Sequence, residues 1–368
     1  MIKFILYPFS ILFGIITGIR NRLYDLGLLK SEEFDVPVIS VGNITAGGTG
    51  KTPHVEYLAG LLKDKFEVAA LSRGYKRKTK GYIEVQADSK VTTVGDEPLQ
   101  IKKKFQEVVV AVCENRVTGV EKILSPQNAK TPDVVILDDA FQHRRISPGM
   151  NILLIDYNRQ LNKDTLLPAG RLRESSKQIK RANVIIFTKC SGEITPIMRR
   201  IMQKEVRLKP YQELYFTTLD YDKITPVFSG DELHDDFFGS KNFAVLVVTG
   251  IASPVLIYKY IEKFSSQVET LKFPDHHHYS EKDINAMFSK FENIKSEKKI
   301  IVTTEKDTMH FKSIDNLPEE FKKSLYYLPV KVKFLNDSDN LFNKKILNYV
   351  GENKSNRELR KRKNKGQS

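Results

Sequence analysis

The segment 37-PVISVGNITAGGTGKTPHVEYL-58 ends a β-branched run in Gly47, Gly48 and Gly50, then presents Lys51 and Thr52. Glycines let a turn aim successive backbone N–H groups at phosphate oxygens. A lysine after them reaches the β- and γ-phosphates of a nucleotide, and the next hydroxyl can bind Mg2+. Thr45 stands where the pattern G-x-x-x-x-G-K-[ST] has its first glycine. The strand-like run before the loop and Pro53 in the first helical turn still supply the context the pattern needs. Thr45, Ala46, Gly47, Gly48, Thr49, Gly50, Lys51 and Thr52 are therefore the expected nucleotide-binding segment.

Carboxylates complete such a site. In 133-DVVILDD-139 four apolar residues run into Asp138 and Asp139, so a strand is expected to end in two acids beside the loop. One can hold Mg2+ or its water and the other can orient it, which makes Thr52, Asp138 and Asp139 the expected metal set. Asp96, in 94-VGDEP-98, falls at a strand-to-helix junction. There it is either a proton acceptor for an attacking hydroxyl or a helix cap. The run 273-FPDHHHYS-280 places three histidines together. Neighbours on an extended segment point in alternate directions, which disfavours one metal site built from all three. One histidine acting as an acid–base partner, held by Asp275 or another carboxylate, is the better chemistry. Arg73 in SRGYKR, and Arg171 and Arg173 in 166-LLPAGRLRE-174, are candidates to close over a triphosphate, the alternative for each being solvated surface charge.

These groups need elements to carry them. Short, almost wholly apolar runs at Val38–Val41, Val68–Leu71, Val108–Val112, Val134–Leu137, Ile152–Ile155 and Val184–Phe187 read as buried parallel strands. Pro53–Lys65 and Pro98–Phe105 read as helices between them. The alternation predicts an α/β fold, a P-loop NTPase-like parallel sheet with helices on both faces, over 31–210. A second, smaller α/β domain is expected over 211–350. Its strands would be Glu213–Thr217, Phe243–Val248, Lys299–Thr303 and Tyr326–Phe334, with helices at Ser253–Lys263 and Glu281–Phe291. Residues 351–368 are polar and basic without apolar periodicity, and predict a disordered tail.

Residues 1–30 form a third region. Phe4–Ile19 carries no charge but is shorter than the roughly 20 apolar residues of a membrane span, and Pro8 and two glycines interrupt it. Arg20 and Arg22 follow, with no small-residue cleavage site. An interfacial helix lying on a membrane fits this pattern, the alternative being a buried first helix. The chain has 368 residues, 40% of them apolar, which excludes a wholly disordered protein. A net charge of +14 favours anionic partners. The two cysteines, Cys113 and Cys190, lie in apolar runs and read as reduced, buried thiols. No Cys/His cluster has zinc spacing.

In order along the chain, GNITAGGTGKTP, SRGY, VGDEP, ILDDAFQH, LLPAGRLRE, FPDHHHYS and VTTEKD resemble the motifs of the tetraacyldisaccharide 4′-kinases, the lipid A 4′-kinases. The likeness covers nearly the whole chain. It implies transfer of the γ-phosphate of ATP, with Mg2+, to the 4′-hydroxyl of a tetraacylated glucosamine disaccharide 1-phosphate, giving lipid IVA. It further implies a monomer, peripheral or monotopic on the anionic cytoplasmic face of the bacterial inner membrane, with no nucleic acid partner. By matching position, Lys51 and Thr52 would serve phosphate and metal, and Asp138 and Asp139 the magnesium. Asp96 would lie near the acceptor hydroxyl, His276 would pair with it across the domain cleft, and Arg171 would belong to a lid over the phosphates. Arg116 and His143 are weaker candidates. Thr45 is in keeping with the family, whereas Ala140 replaces a more usual glycine and His310 stands where lysine is frequent. Two other classes remain open: a membrane-associated NTPase switch and a basic nucleic-acid binder. VIIFTKC resembles the [NT]-K-x-D guanine motif, but Cys190 replaces its aspartate. No groove-reading or base-stacking motif supports the binder.

Overall fold

The computed structural model describes residues 2–127, 130–159, 161–228, 233, 243–265, 267–314 and 316–365, with side chains described from residue 4 to 356 in these ranges. The strands in chain order are β1 Val38–Asn43, β2 Val68–Ser72, β3 Ile83–Glu84, β4 Val109–Val112, β5 Val134–Asp138, β6 Met150–Asp156 and β7 Val184–Thr188. They continue as β8 Glu213–Tyr221, β9 Thr225–Pro226, β10 Ala244–Thr249, β11 Gln267–Lys272, β12 Lys299–Thr304, β13 Leu325–Leu328 and β14 Val330–Phe334. They form a nine-stranded sheet, β14-β8-β7-β6-β1-β5-β2-β4-β3, and a five-stranded sheet, β11-β10-β12-β13-β9. The strands of the large sheet run parallel except for its two edge strands, β14 and β3. β1 and β5 are buried along their whole length, as strands covered on both faces must be.

Parallel strands carry their carboxyl ends to one edge. The loop after β1 therefore meets Ser72 from β2, Asp138 from β5, Asp156 from β6 and Thr188 from β7. The helix Lys51–Leu62 starts from that loop and buries Val55, Leu58, Ala59 and Leu62 against the sheet.

Two expectations need correction. β8 belongs to the large sheet, where it pairs in parallel with β7. The expected strand Tyr326–Phe334 is two strands. Leu325–Leu328 joins the small sheet, and after Pro329 the residues Val330–Phe334 return to the large sheet antiparallel to β8. Proline lacks the N–H a continuous ladder needs. The 210/211 boundary thus does not follow the sheets: the chain leaves the large sheet after Tyr221 and re-enters it at Val330. Reading consecutive runs as consecutive neighbours missed this return. The predicted disordered tail also differs, since the helix Asp339–Lys365 continues through it. Phe342, Ile346 and Val350 anchor that helix in the large core, and propagation through good helix formers follows at little cost. The last three residues of the tail lie outside the described residues.

The N-terminal helix, Ile2–Asp25, is inside out. Ser10 and Asn21 are its buried residues, whereas Phe4, Phe9, Ile11, Leu12, Ile15, Ile16 and Ile19 are each more than half exposed. Ser10 accepts from the Ala169 N–H, Asn21 donates to Glu174, and Asp25 pairs with Arg144 and Lys180. Polar side chains dock the helix and its apolar face is left outward, contrary to a buried first helix. Phe4–Asp25 is long and apolar enough to cross a membrane by length and composition.

Candidate active site

The loop between β1 and the helix Lys51–Leu62 is held from behind, one carbonyl at a time. Ala46 O accepts from Arg159 (3.3 Å), Gly47 O from Asn43 (3.4 Å) and Gly48 O from Lys189 Nζ (2.5 Å). Thr49 O accepts from Thr188 (2.9 Å), and Gly50 O lies 2.7 Å from His54 Nδ1. Burial pushes His54 down to about 4, so it is neutral. Its Nδ1 then carries the proton toward Gly50, and Nε2 accepts from Thr217 at 3.1 Å. With the carbonyls turned back, the amides of Gly47 through Gly50 donate to no protein acceptor among the described residues. Gly47 has φ +104°, which demands glycine, and a side chain there would also push aside the end of Arg159. Thr45 pairs in extended fashion with Leu172 and needs no left-handed backbone, which is why a β-branched residue serves in place of the first glycine. The Thr49 hydroxyl is buried on Asn43, so this residue can offer a ligand only its backbone.

Lys51, Thr52, Asp138 and Asp139 line the cleft in front of this loop. Asp138 is buried at the end of β5. Its Oδ2 accepts from Ser72 at 3.0 Å, and its Oδ1 has no partner. Burial, with Glu97 and Asp139 nearby, pushes its carboxyl up to about 7. Asp139 adopts φ +47° and accepts from Arg173 Nη1 at 2.9 and 3.0 Å, with Lys51 at 3.8 Å. Burial pushes its carboxyl up, but Lys51 and Arg173 outweigh this and hold it below the ordinary value.

Arg171 departs from expectation. Its side chain is exposed and does not line the cleft, and its carbonyl accepts from the Ala46 N–H. Arg173, two residues on, reaches the cleft instead, where Asp139 holds its guanidinium. Arg116 is buried beneath the acids, where it donates to the carbonyls of Cys113 and Asp138. His143 lines the cleft, and burial beside Arg116 and Arg73 brings it down to about 4.

Asp96 and His276 meet across the two sheets, with His276 Nδ1 2.7 Å from Asp96 Oδ2. Asp96 is buried one layer behind the cleft wall, which here is made by His276, Glu97, Tyr75 and Lys76. Its Oδ2 also takes His310 Nε2 at 3.3 Å, and its Oδ1 accepts the Glu97 N–H. Burial opposes the charge, but bonds from His276 and His310 and the charge of Lys306 hold the carboxyl well below the usual range. His276 has φ +56°, and the Tyr75 ring packs on it at 4.8 Å. Its carbonyl accepts from Lys76, and Lys306 Nζ lies 3.0 Å from its Nε2. His277 turns away to Asp283, and His278 packs edge-on against His310. Lys306, Lys189, Arg159 and His54 went unassigned in the sequence. VTTEKD and VIIFTKC marked two of them without revealing what they would touch.

The cleft measures about 760 Å³. From the glycine loop it runs past both acid groups to Phe13, Thr17 and Arg20 of the N-terminal helix, and Ile251, Ala252 and Leu256 close it from the small sheet.

A family model described as Tetraacyldisaccharide-1-P 4′-kinase (LpxK) matches residues 2–350. Among similar proteins, a tetraacyldisaccharide 4′-kinase of Phocaeicola vulgatus is 45% identical over 95% of this chain and 96% of its own length. That of Bacteroides thetaiotaomicron is 45% identical over 99% and 97%, and that of Flavobacterium johnsoniae 42% identical over 96% and 98%. A crystal structure of an "apo" form of LpxK from Aquifex aeolicus in complex with ATP superposes with a TM-score of 0.71. It is 33% identical and covers 95% of this chain and 99% of that one. The match over 2–350 and these near full-length relatives agree with the geometry, and the chain belongs to the tetraacyldisaccharide 4′-kinase family, the kinases of lipid A biosynthesis.

Proposed function

We propose that this cleft holds ATP and a tetraacylated disaccharide 1-phosphate together and passes the γ-phosphate to the sugar 4′-hydroxyl. The carrying observation is the continuity of the cleft. One end is the amide-lined glycine loop, and the other is Phe13, Thr17 and Arg20 of the N-terminal helix, whose outward residues are apolar and suit acyl chains at a membrane.

The amides of Gly47 through Gly50, with Lys51 and Arg173, bind and neutralise the triphosphate. Phosphoryl transfer needs little covalent help, so placement and charge dominate. The bond from the γ-phosphorus to the β-bridging oxygen breaks as the bond to the 4′-oxygen forms, and ADP carries away the electron pair. The 4′-hydroxyl proton passes to the Asp96–His276 pair. His276 lines the cleft where the acceptor would sit, and Asp96 behind it would hold the charge. The donor set supports Mg2+, with the unpartnered Asp138 Oδ1 and the Thr52 hydroxyl as protein ligands and Asp139 oriented by Arg173. When bound, Mg2+ would neutralise charge on the β- and γ-phosphates. Among the described residues no three His, Cys, Asp or Glu groups could cage a metal, which suits an ion that keeps water and phosphate ligands.

The outward apolar helix and the net charge of +14 support peripheral or monotopic attachment to an anionic membrane. Since ATP is cytoplasmic, we place the enzyme on the cytoplasmic face of the inner membrane, as a monomer. The test is incubation with γ-labelled ATP and the disaccharide 1-phosphate in mixed micelles, followed by chromatography of the lipid fraction. Label in the lipid is the expected result. ATP hydrolysis with no label in the lipid would replace this reading with an NTPase switch.

A further inference from the structure

The five holds on the loop carbonyls are not equivalent. Asn43, Thr188 and His54 are neutral donors, whereas Arg159 and Lys189 are cations. Lys189 is buried at the end of β7, with Nζ 2.5 Å from Gly48 O and 3.4 Å from Asp156 Oδ2. Arg159 reaches the same Asp156 at 3.6 Å and the Ala46 carbonyl at 3.3 Å. Two cations share one carboxylate, which leaves a net positive charge against the back of the loop. Lys189 is itself fixed, since its carbonyl accepts from Asn158, whose backbone N–H bonds to Asp156.

A cation on a carbonyl oxygen draws electron density through the peptide bond and makes the N–H on its other side a stronger donor. The peptide whose carbonyl Lys189 holds carries the Thr49 N–H, and the one Arg159 holds carries the Gly47 N–H. Both amides are free of protein acceptors among the described residues. We propose that Lys189, seconded by Arg159, is a positioning residue that acts on the nucleotide phosphates through these peptide bonds. It fixes the loop and strengthens its donors without touching the ligand. This rests on the nucleotide reading of the cleft.

The test is a series at one position in the full-length protein in detergent: Lys189→Arg, Lys189→Gln and Lys189→Met. Arginine keeps donor and charge, glutamine keeps a donor only, and methionine keeps neither. ATP Kd is read by calorimetry, and KM and kcat by lipid labelling. The expected order is arginine within about threefold of the parent, glutamine weakened about tenfold and methionine more, from the size of charge-assisted against neutral hydrogen bonds. KM should rise with the Kd while kcat at saturating ATP changes little, the mark of lost uniform binding. Parental affinity in folded Lys189→Gln would overturn the charge effect, and parental affinity in Lys189→Met would overturn the proposal entirely. If Lys189→Met does not fold, Arg159→Gln and Arg159→Met carry the same comparison on the Ala46 carbonyl. An unsubstituted protein that fails to bind ATP would refute the nucleotide site itself, and the proposal with it.

Discussion

Asp138 and Asp96 are both buried aspartates, the first lining the cleft and the second one layer behind its wall, and their surroundings are opposite. Asp138 has one hydroxyl donor and an unpartnered oxygen, and its carboxyl is pushed up to about 7. Asp96 has two histidines on one oxygen, a backbone N–H on the other and Lys306 nearby, and its carboxyl is held down. Burial opposes the charge in both; Glu97 and Asp139 add to it at Asp138, whereas two histidines and Lys306 outweigh it at Asp96. Asp138 has an oxygen without a partner and lacks a counter-charge on it, whereas Asp96 already has its counter-charges. The first suits metal binding and the second a carboxylate kept ionised while a neighbouring histidine meets the substrate.

The difference can be broken at either end. Asp138→Asn should lower kcat about a thousandfold, the scale of losing a major electrostatic element of phosphoryl transfer, while metal-free ATP binding survives in calorimetry. Asp96→Asn should lower kcat about a hundredfold, typical of general-base loss, with ATP affinity unchanged. Equal loss of ATP binding in both would erase the distinction. Next in size, Arg173→Ala should cost about tenfold in kcat/KM through its paired hydrogen bonds to Asp139, and Arg171→Ala less than about twofold. The reverse order would restore Arg171 to the lid.

The smallest effect is on stability. Asp138 titrates near 7 in the native state against 3.8 ordinarily. The native protein therefore binds more protons than the unfolded chain between about pH 4 and 7, and this group's contribution to stability declines as pH rises through that window. Asp96 is displaced downward, so its contribution is constant there and is lost only as pH falls below about 4. In metal-free buffer the Tm of Asp138→Asn relative to the parent should climb by several degrees from pH 4 to 7. Asp96→Asn should show no such slope. Parallel curves in scanning calorimetry would show that the two carboxyls do not differ.

The parts legible in the sequence are those in which chemistry and position are local. GGTGKT, the acids ending 133-DVVILDD-139, GDEP and FPDHHH each lie at the end of one strand or the start of one helix. Asp96 and His276, brought from different sheets, stand 2.7 Å apart. The parts that were illegible depend on threading. Nothing local distinguishes Arg171 from Arg173 until Arg173 is seen to meet Asp139, far away in sequence. Lys189 and Arg159 reach the loop only because β6 lies beside β1 and β7 beside β6. The second strand set was misdivided because β8 and β14, far apart in sequence, complete the first sheet.

That return of the chain has a consequence for engineering. Tyr221, where the chain departs, and Val330, where it re-enters, are register partners, and the Asp222 N–H donates to the Pro329 carbonyl at 3.1 Å. Exit and entry are thus one strand spacing apart, about 5 Å, a gap that a two-residue turn closes. The chain between them is one continuous excursion, which touches the large core again through Met309. A shortened chain joined across this gap would keep the glycine loop, Asp138, Asp139 and all five holds behind the loop, while losing His276. On the proposed function, such a chain, with a polar residue placed at the new surface that Met309 had covered, would test nucleotide binding apart from phosphoryl transfer.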